Sequence, residues 1–434
     1  MTADEVGRSA LAKASWRLLP LIGLGYGIAY MDRVNIGFAS LQMNHDLGFS
    51  GAVYGLGGGL FFLSYAALEV PSNLALMRFG ARRWIARIML TWGLIAVGMM
   101  FVRTPIQFYL MRFLLGAAEA GFFPGVVFYL MNWFPSHERG RAVSRFYIAL
   151  PLSSVVMGSV AGSLLGLGGR LGLAGWQWLF LIEGLPALLL SLAILLLLPD
   201  RPASVTWLSE AEKAWFEASL AADRSAPQVS PDRGVLGALA DRRVWLLGLC
   251  NIFVLAAAYA FTLSAPAMLQ KATGFSADEV GWVVAAGGGL GALAMLAAGA
   301  HSDRRGERRL HAAVFMAIAG ACCVAMALAA TPWVFVMSYL LFSAAAVAIQ
   351  CVFWLIPSDM LQGRSAAGGV AAIGSIGMVG AFAGPWAWGV VRDETGGYQV
   401  GLLALVAAYL VSAGLMLMLR WRARAALLTP QIVT

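Results

Sequence analysis

The chain has 434 residues, 60% of them hydrophobic and only 12% charged, with a formal net charge of +8. Soluble domains carry about 25% charged residues, so most of this chain has no polar face to show to water. The composition excludes a soluble globular protein and fits a lipid bilayer as solvent, where the 50 glycines let helices approach closely.

A membrane helix needs about 20 apolar residues. The N-terminus imitates a secretion signal, with Arg8, Lys13 and Arg17 ahead of an apolar run. That run continues through Asp32-Arg33 to Ser40 without a cleavage site and predicts a first span at 18–40. Further spans are predicted at 52–77, 84–102, 106–132, 142–167 and 178–198, then at 244–269, 279–300, 310–330, 333–356, 367–391 and 400–420. The segment between the two sets is rich in Pro, Ser, Asp, Glu and Arg and predicts a cytoplasmic linker with one short amphipathic helix around Glu210–Leu220. The expected organisation is a cytoplasmic N-terminus (1–17), a six-helix bundle (18–199), the linker (200–243), a second six-helix bundle (244–421) and a cytoplasmic tail (422–434).

Lys and Arg set the orientation. With the N-terminus inside, 24 of the 30 basic residues fall in inside segments. Only four, Arg103, Arg170, Lys271 and Arg392, fall outside, and Arg33 and Arg112 lie within spans. This bias places both termini in the cytoplasm of a multi-pass inner-membrane protein. It also accounts for the basic charge without nucleic acid. The halves repeat: Gly48-Phe49-Ser50 recurs as Gly274-Phe275-Ser276, and Arg78-Phe79-Gly80-Ala81-Arg82-Arg83 as Arg304-Arg305-Gly306-Glu307-Arg308-Arg309, both 226 residues on. The fold class is therefore an all-α membrane protein of twelve spans in two pseudo-symmetric bundles, an architecture common among secondary transporters.

A charge at bilayer depth is costly unless paired or hydrated, roughly 3 kcal/mol on insertion scales. Here such charges cluster in two spans: Asp32 and Arg33 in the first, Arg112 and Glu119 in the fourth. Arg112 and Glu119, seven residues apart, share a helical face. Arg33 offers planar paired donors suited to a carboxylate. Asp32 and Glu119 are the candidate proton carriers, with Arg112 as the neighbour whose approach and departure would release and restore the proton. Glu183, beside Gly184 and Pro186, reads as structural. Cys250, Cys322, Cys323 and Cys351 sit inside apolar runs and read as packing residues. No metal site or cofactor is expected. Gly57-Gly58-Gly59 and Gly287-Gly288-Gly289 lack the strand–turn–helix setting of a phosphate loop and read as close-packing surfaces, so an ion gradient must power uphill movement.

The second loop copy, Gly299 to Asp303-Arg304-Arg305-Gly306-Glu307-Arg308-Arg309, resembles the loop signature of the major facilitator superfamily; the first copy has Met77 where the acid is usual. Tyr30-Met31-Asp32-Arg33-Val34-Asn35, Glu69-Val70-Pro71-Ser72-Asn73, Arg112 to Gly116, Glu119-Ala120-Gly121-Phe122-Phe123-Pro124-Gly125 and Trp133-Phe134-Pro135 resemble the anion:cation symporter family, whose bacterial members carry galactonate, glucarate, tartrate and phthalate. Tartrate-like members often carry asparagines where this chain has Ile373-Gly374-Ser375-Ile376-Gly377-Met378, so the resemblance names no particular acid. It implies the major facilitator fold and proton-coupled uptake of a small organic anion by alternating access, in a monomer. It implies Tyr65 as a cavity residue. Tyr30 is a further candidate for hydrogen bonding, and Trp354, Ser375, Tyr259 and Gln350 for the wall of the second half. Arg78, Arg82, Arg83, Asp303, Arg304 and Arg308 would clamp the inward-closed state, and Glu69 would gate or anchor the loop. The alternatives are a proton-antiporting exporter of a metabolite or drug, a membrane sensor, and a membrane enzyme, for which no nucleophile or metal cluster is found.

Overall fold

The computed structural model describes residues 2–147, 149–225, 239–361 and 364–419; the predicted cytoplasmic tail and the middle of the linker lie outside these. The described residues form helices joined by short turns, with no strand among them. The helices are α1 (Ala3–Leu47), α2 (Gly51–Phe79), α3 (Ala81–Gly98), α4 (Pro105–Glu119), α5 (Phe122–Met131), α6 (Ser136–Tyr147), α7 (Ala149–Leu165), α8 (Gly175–Leu197) and α9 (Glu210–Ser225). They continue with α10 (Arg242–Thr273), α11 (Ala277–Arg305), α12 (Arg309–Ala327), α13 (Pro332–Met360), α14 (Arg364–Thr395) and α15 (Gln399–Met418). Each of the twelve predicted spans falls on one or two of them. Ten segments of the described residues are long and apolar enough to cross a membrane. The other two spans are α1, whose apolar run is diluted by Asp32 and Arg33, and α7, which has 17 residues.

Local chemistry fixes the boundaries, and it repeats with the sequence. Gly48 and Gly274 both end a helix in the left-handed conformation, at φ 65° and 72°. Gly80 and Gly306, in the two copies of the basic loop, both have positive φ, 87° and 60°. Thr104-Pro105 and Thr331-Pro332 both open helices, the threonine hydroxyl capping a backbone N–H and the proline occupying the first turn.

The chain groups into two compact units, Met1–Gln228 with Ser276–Ala285, and Val229–Phe275 with Ala286–Thr434. In the first, α1 packs on α7 and α8, and α3 on α4 and α8. In the second, α10 packs on α14 and α15, and α12 on α13 and α15, which is the same pattern one repeat on. Glycines set these distances: Gly116 lies against the Phe61 backbone, and Gly380 and Gly384 against the α10 backbone at Ile252 and Ala256. The outward faces stay apolar. On α8, Leu185, Leu189, Leu192 and Leu196 form an exposed stripe at helical spacing, as lipid contact requires.

One element differs from expectation. The predicted fourth span is not one helix: α4 stops at Glu119 and α5 starts at Phe122. Pro124 would set its ring against the carbonyl of Ala120 in a continuous helix. Instead Ala120 leaves the helical conformation (φ −53°, ψ 131°) and Gly121 takes φ 85°. The N-terminal segment from Ala3 is continuous with the first span. It forms the start of α1, opened by a capping box in which Thr2 and Glu5 bond reciprocally. Its inner face buries Ala10 and Ala14. Helix α9 and the residues before it hold this segment: Lys13 and Ser9 both bond Glu212, and Arg17 lies 5.0 Å over the Trp207 ring. Trp207 in turn stacks on Trp133 at 5.8 Å.

Candidate functional site

The buried charges of the first unit meet across three helices. Arg33 on α1 donates from Nε to Glu119 Oε1 on α4 at 2.8 Å, and Nη2 reaches the same oxygen. Glu119 is fully buried, and its second oxygen has no hydrogen-bond partner. Arg112, 1% exposed, lies two turns earlier on α4 and donates from Nε to the Gly57 carbonyl of α2 at 3.4 Å. A glycine suits position 57, because Phe108 occupies the space a side chain would take.

Aromatic rings on α2 complete the enclosure. Phe61 lies 4.9 Å from the Arg112 guanidinium and 5.7 Å from that of Arg33, so one ring serves both cations. Tyr65, one turn on, is buried with its ring 5.0 Å from Arg33. Phe61, Tyr65 and Glu69 recur at four-residue spacing and therefore share one face of α2. Glu69 is half-buried there. Tyr30 precedes Arg33 by three residues on α1, on the same side, and is half-buried.

Asp32 belongs to the same cluster, with Glu119, Arg112 and Arg33 as its charged neighbours, but has a different hydrogen-bond partner. Adjacent helical residues point about 100° apart. While Arg33 turns to Glu119, Asp32 accepts a hydrogen bond from Asn35 Nδ2 at 3.2 Å. The other Asp32 oxygen is buried without a partner. Asn35 is 1% exposed and lies toward α8, beside Glu183. Glu119, the last residue of α4, pairs with Arg33 on α1, while Arg112 bonds the Gly57 carbonyl.

The break also explains the motifs around it. The left-handed Gly121 sits against Ser72 and Asn73, and Gly125 against Leu76, so the Gly121-to-Gly125 stretch and the Glu69-to-Asn73 stretch are two sides of one contact. Ser72 Oγ also accepts from Trp84 Nε1 at 3.0 Å.

The basic loops are paired within their own units. Arg82 lies 3.6 Å from Asp200, and Asp303 pairs with Arg308 at 2.9 Å. Arg78, Arg83 and Arg304 are exposed. In the second unit, the half-buried Trp354 ring lies against Gly374, next to the exposed Ser375. Tyr259 and Gln350 are half-buried. Phe61, Asn35 and Asn251 are candidates that sequence reasoning does not single out. Asn251 is fully buried and donates to the Ile373 carbonyl at 3.2 Å. A polar residue inside an apolar run is the available signal for the two asparagines; Phe61 carries none.

A twelve-span bundle that buries arginines and carboxylates at depth, paired across helices, defines a polytopic membrane transport protein. Residues 22–385 match the family model described as Major Facilitator Superfamily. The chain belongs to that superfamily and is not an enzyme. Among its relatives, the protein named "Putative tartrate transporter" from Agrobacterium vitis is 42% identical over 96% of this chain and 93% of its own. A "Quinolone resistance transporter" from Acinetobacter baumannii is 39% identical over 92% of each. Among solved structures, the D-xylose-proton symporter superposes with a TM-score of 0.73, covering 93% of this chain and 97% of that one. At 17% identity this last likeness shows the fold alone.

Proposed function

We propose that the protein takes up a small organic anion together with protons by alternating access. The carrying observation is the Arg33–Glu119 pair, in which Glu119 is fully buried and keeps one oxygen unpartnered. A guanidinium largely withdrawn from water favours an anion beside it. Protonation of Glu119 removes its charge and frees the two Arg33 donors for a substrate carboxylate; loss of the substrate returns Arg33 to ionised Glu119. Substrate and proton therefore bind together and leave together. Arg112, held over Phe61, keeps the cavity positive for the anion, and Tyr65 and Tyr30 supply hydroxyls. Asp32 is the second proton site.

The chain works as a monomer with both termini in the cytoplasm. Asp303, Arg304 and Arg308, with Arg78, Arg82 and Arg83 of the first half, clamp the inward-closed state, and Glu69 gates it. One proton per monoanion makes transport electroneutral; more make it respond to membrane potential.

The relative named for tartrate supports an anion reading, because tartrate is a dicarboxylate. The relative named for quinolone resistance supports a rival, export by proton antiport. Uptake of a labelled carboxylate panel into proteoliposomes with an imposed pH gradient separates them. An inward proton gradient should stimulate accumulation of at least one anion. No stimulation for any anion sinks the symport reading, and an inward proton gradient that instead drives release of preloaded substrate favours the antiporter.

A further inference from the structure

The mechanism above leaves one arginine of the first half unused. Arg87, in the second turn of α3, is half-buried, and its guanidinium lies 3.9 Å over the Trp84 ring. Its Nε is buried with no acceptor among the described residues. Trp84 is itself fixed: Nε1 donates to Ser72 Oγ, and the ring stacks on Phe79 at 5.5 Å and 13°. Arg78 lies 5.6 Å from the Phe79 ring, so each of the two stacked rings carries an arginine. A guanidinium laid on a ring keeps the N–H groups of its edge for an acceptor. Among the described residues no carboxylate pairs with Arg78, Arg83 or Arg87.

The internal repeat shows what is unusual here. In the second copy Asp303 pairs with Arg308, and Arg309 Nη1 donates to the Leu417 and Leu419 carbonyls at the end of α15. The same positions 226 residues earlier are Met77, Arg82 and Arg83. Met77 is an exposed apolar side chain, and Arg82 turns to Asp200 instead. Arg83 is exposed and makes no hydrogen bond to a described residue. The counterpart of Arg87 is Ala313, which is buried. The first half therefore carries two cations, Arg83 and Arg87, that the second half either satisfies or lacks.

Arg83, Arg87, Leu90 and Leu94 recur at helical spacing and share one face of α3. Leu90 and Leu94 are exposed, as lipid-facing residues are. Along this face two guanidiniums come first and apolar side chains follow, the order of headgroup and acyl chain in a phospholipid. We propose that this face binds an anionic phospholipid of the leaflet that meets the start of α3. Arg83 and Arg87 hold the phosphate, the Trp84–Phe79 stack fixes Arg87, and an acyl chain runs along Leu90 and Leu94. Helix α3 contains no acid to receive the ammonium of a zwitterionic headgroup, so the charge of the site selects a net-negative lipid. Arg83 also belongs to the proposed clamp of the inward-closed state, so Arg87 carries the test.

Native mass spectrometry of the full-length protein, titrated in detergent with phosphatidylglycerol or phosphatidylcholine, counts the lipid retained. Wild type should bind phosphatidylglycerol about tenfold more tightly than phosphatidylcholine, and Arg87→Gln should lose about fivefold of that preference, the share of one cation at a membrane surface. Arg87→Lys, which keeps the charge but not the planar fork, should lie between the two. Arg103→Gln, which removes an arginine at the opposite end of α3, should bind as wild type does. Equal retention of the two lipids by wild type overturns the proposal, and this comparison needs no variant to fold. Wild-type preference in Arg87→Gln, or an equal loss in Arg103→Gln, overturns it as well, because the attraction would then belong to the net charge and not to this face. Inorganic phosphate at the concentration of the lipid should not displace it; displacement would mean a site for a free anion and overturn the lipid assignment. These readouts need neither substrate nor a proton gradient, so they hold or fail independently of proton-driven uptake.

Discussion

Arg33 and Glu119 are 86 residues apart in the chain and are joined by a charge-assisted hydrogen bond from Nε to Oε1 at 2.8 Å, with Nη2 at the same oxygen. Removing Arg33 takes the hydrogen-bonded cation from the fully buried Glu119, and removing Glu119 takes the carboxylate from Arg33. Glu119→Ala should destabilise the protein by about 3–5 kcal/mol, read as a lower melting temperature in detergent. Glu119→Gln, which keeps the shape, should lose gradient-driven accumulation yet retain anion exchange. Unchanged accumulation in Glu119→Gln would remove the residue from coupling.

Arg33→Lys replaces a planar fork by a point charge that cannot hold two donors toward one carboxylate. Anion KM should rise by about tenfold, the equivalent of roughly 1.4 kcal/mol. A KM equal to wild type would show that Arg33 does not meet the substrate.

Phe61 lies beside two guanidiniums, and each such contact contributes about 0.5–2 kcal/mol depending on desolvation. Phe61→Leu should weaken anion binding severalfold while Phe61→Tyr preserves it, as measured by substrate-dependent thermal shift. Equal affinities for the two variants would rule out a role for the ring's π face.

Gly121 has φ 85° and lies against Ser72, so it faces both a backbone and a steric limit. Gly121→Ala should cost about 1–2 kcal/mol for the left-handed conformation alone, with a further loss from the contact. Ser72→Gly in the same chain should recover the contact part only. A Gly121→Ala protein with wild-type stability would mean that the α4–α5 break is not held in this geometry.

Glu212 couples α9 to the start of α1. Burial alone would raise its pKa, but hydrogen bonds from Lys13, the Ser209 amide and Ser9, together with the Lys13 charge, hold it down at about 2. A depressed folded pKa contributes stability that is present above the unfolded value, about 4.3, and is lost as pH falls toward the folded value of about 2. Hydrogen-exchange protection of Glu210–Ser225 should be level from neutral pH to about pH 5 and fall below about pH 4.5, after correction for intrinsic exchange. Glu212→Gln should show reduced protection at neutral pH and converge on wild type as pH falls toward about 2. A wild-type protection profile in Glu212→Gln would show that the aromatic contacts alone hold α9.

The spans were legible because their cause is local: about 20 apolar residues in a row cross a membrane whatever surrounds them. The internal repeat was equally legible, and the glycines at 48 and 274, and at 80 and 306, carry it into the backbone. The candidate charges were also legible, since any ionisable residue inside a span stands out. What was not legible was their partners. Asp32 and Arg33 are neighbours in sequence yet have different hydrogen-bond partners, Asn35 within α1 for one and Glu119 on α4 for the other. Glu183 reads as structural in the sequence because its neighbours, Gly184 and Pro186, are packing residues; its unmatched oxygens emerge only when α8 lies against α1.

The amino-acid sequence by itself determined a twelve-span, two-half membrane protein with charges buried in the first half, because hydrophobic length, basic-residue bias and the 226-residue repeat are properties of the chain alone. Only the tertiary structure decided which carboxylate holds which arginine, that α4 ends at Glu119 ahead of Gly121 and Pro124, and that one phenylalanine serves two guanidiniums. The reason is physical: the bilayer fixes which residues form helices, but the energy of a buried charge depends on atoms a few ångströms away, and those come from helices distant in sequence.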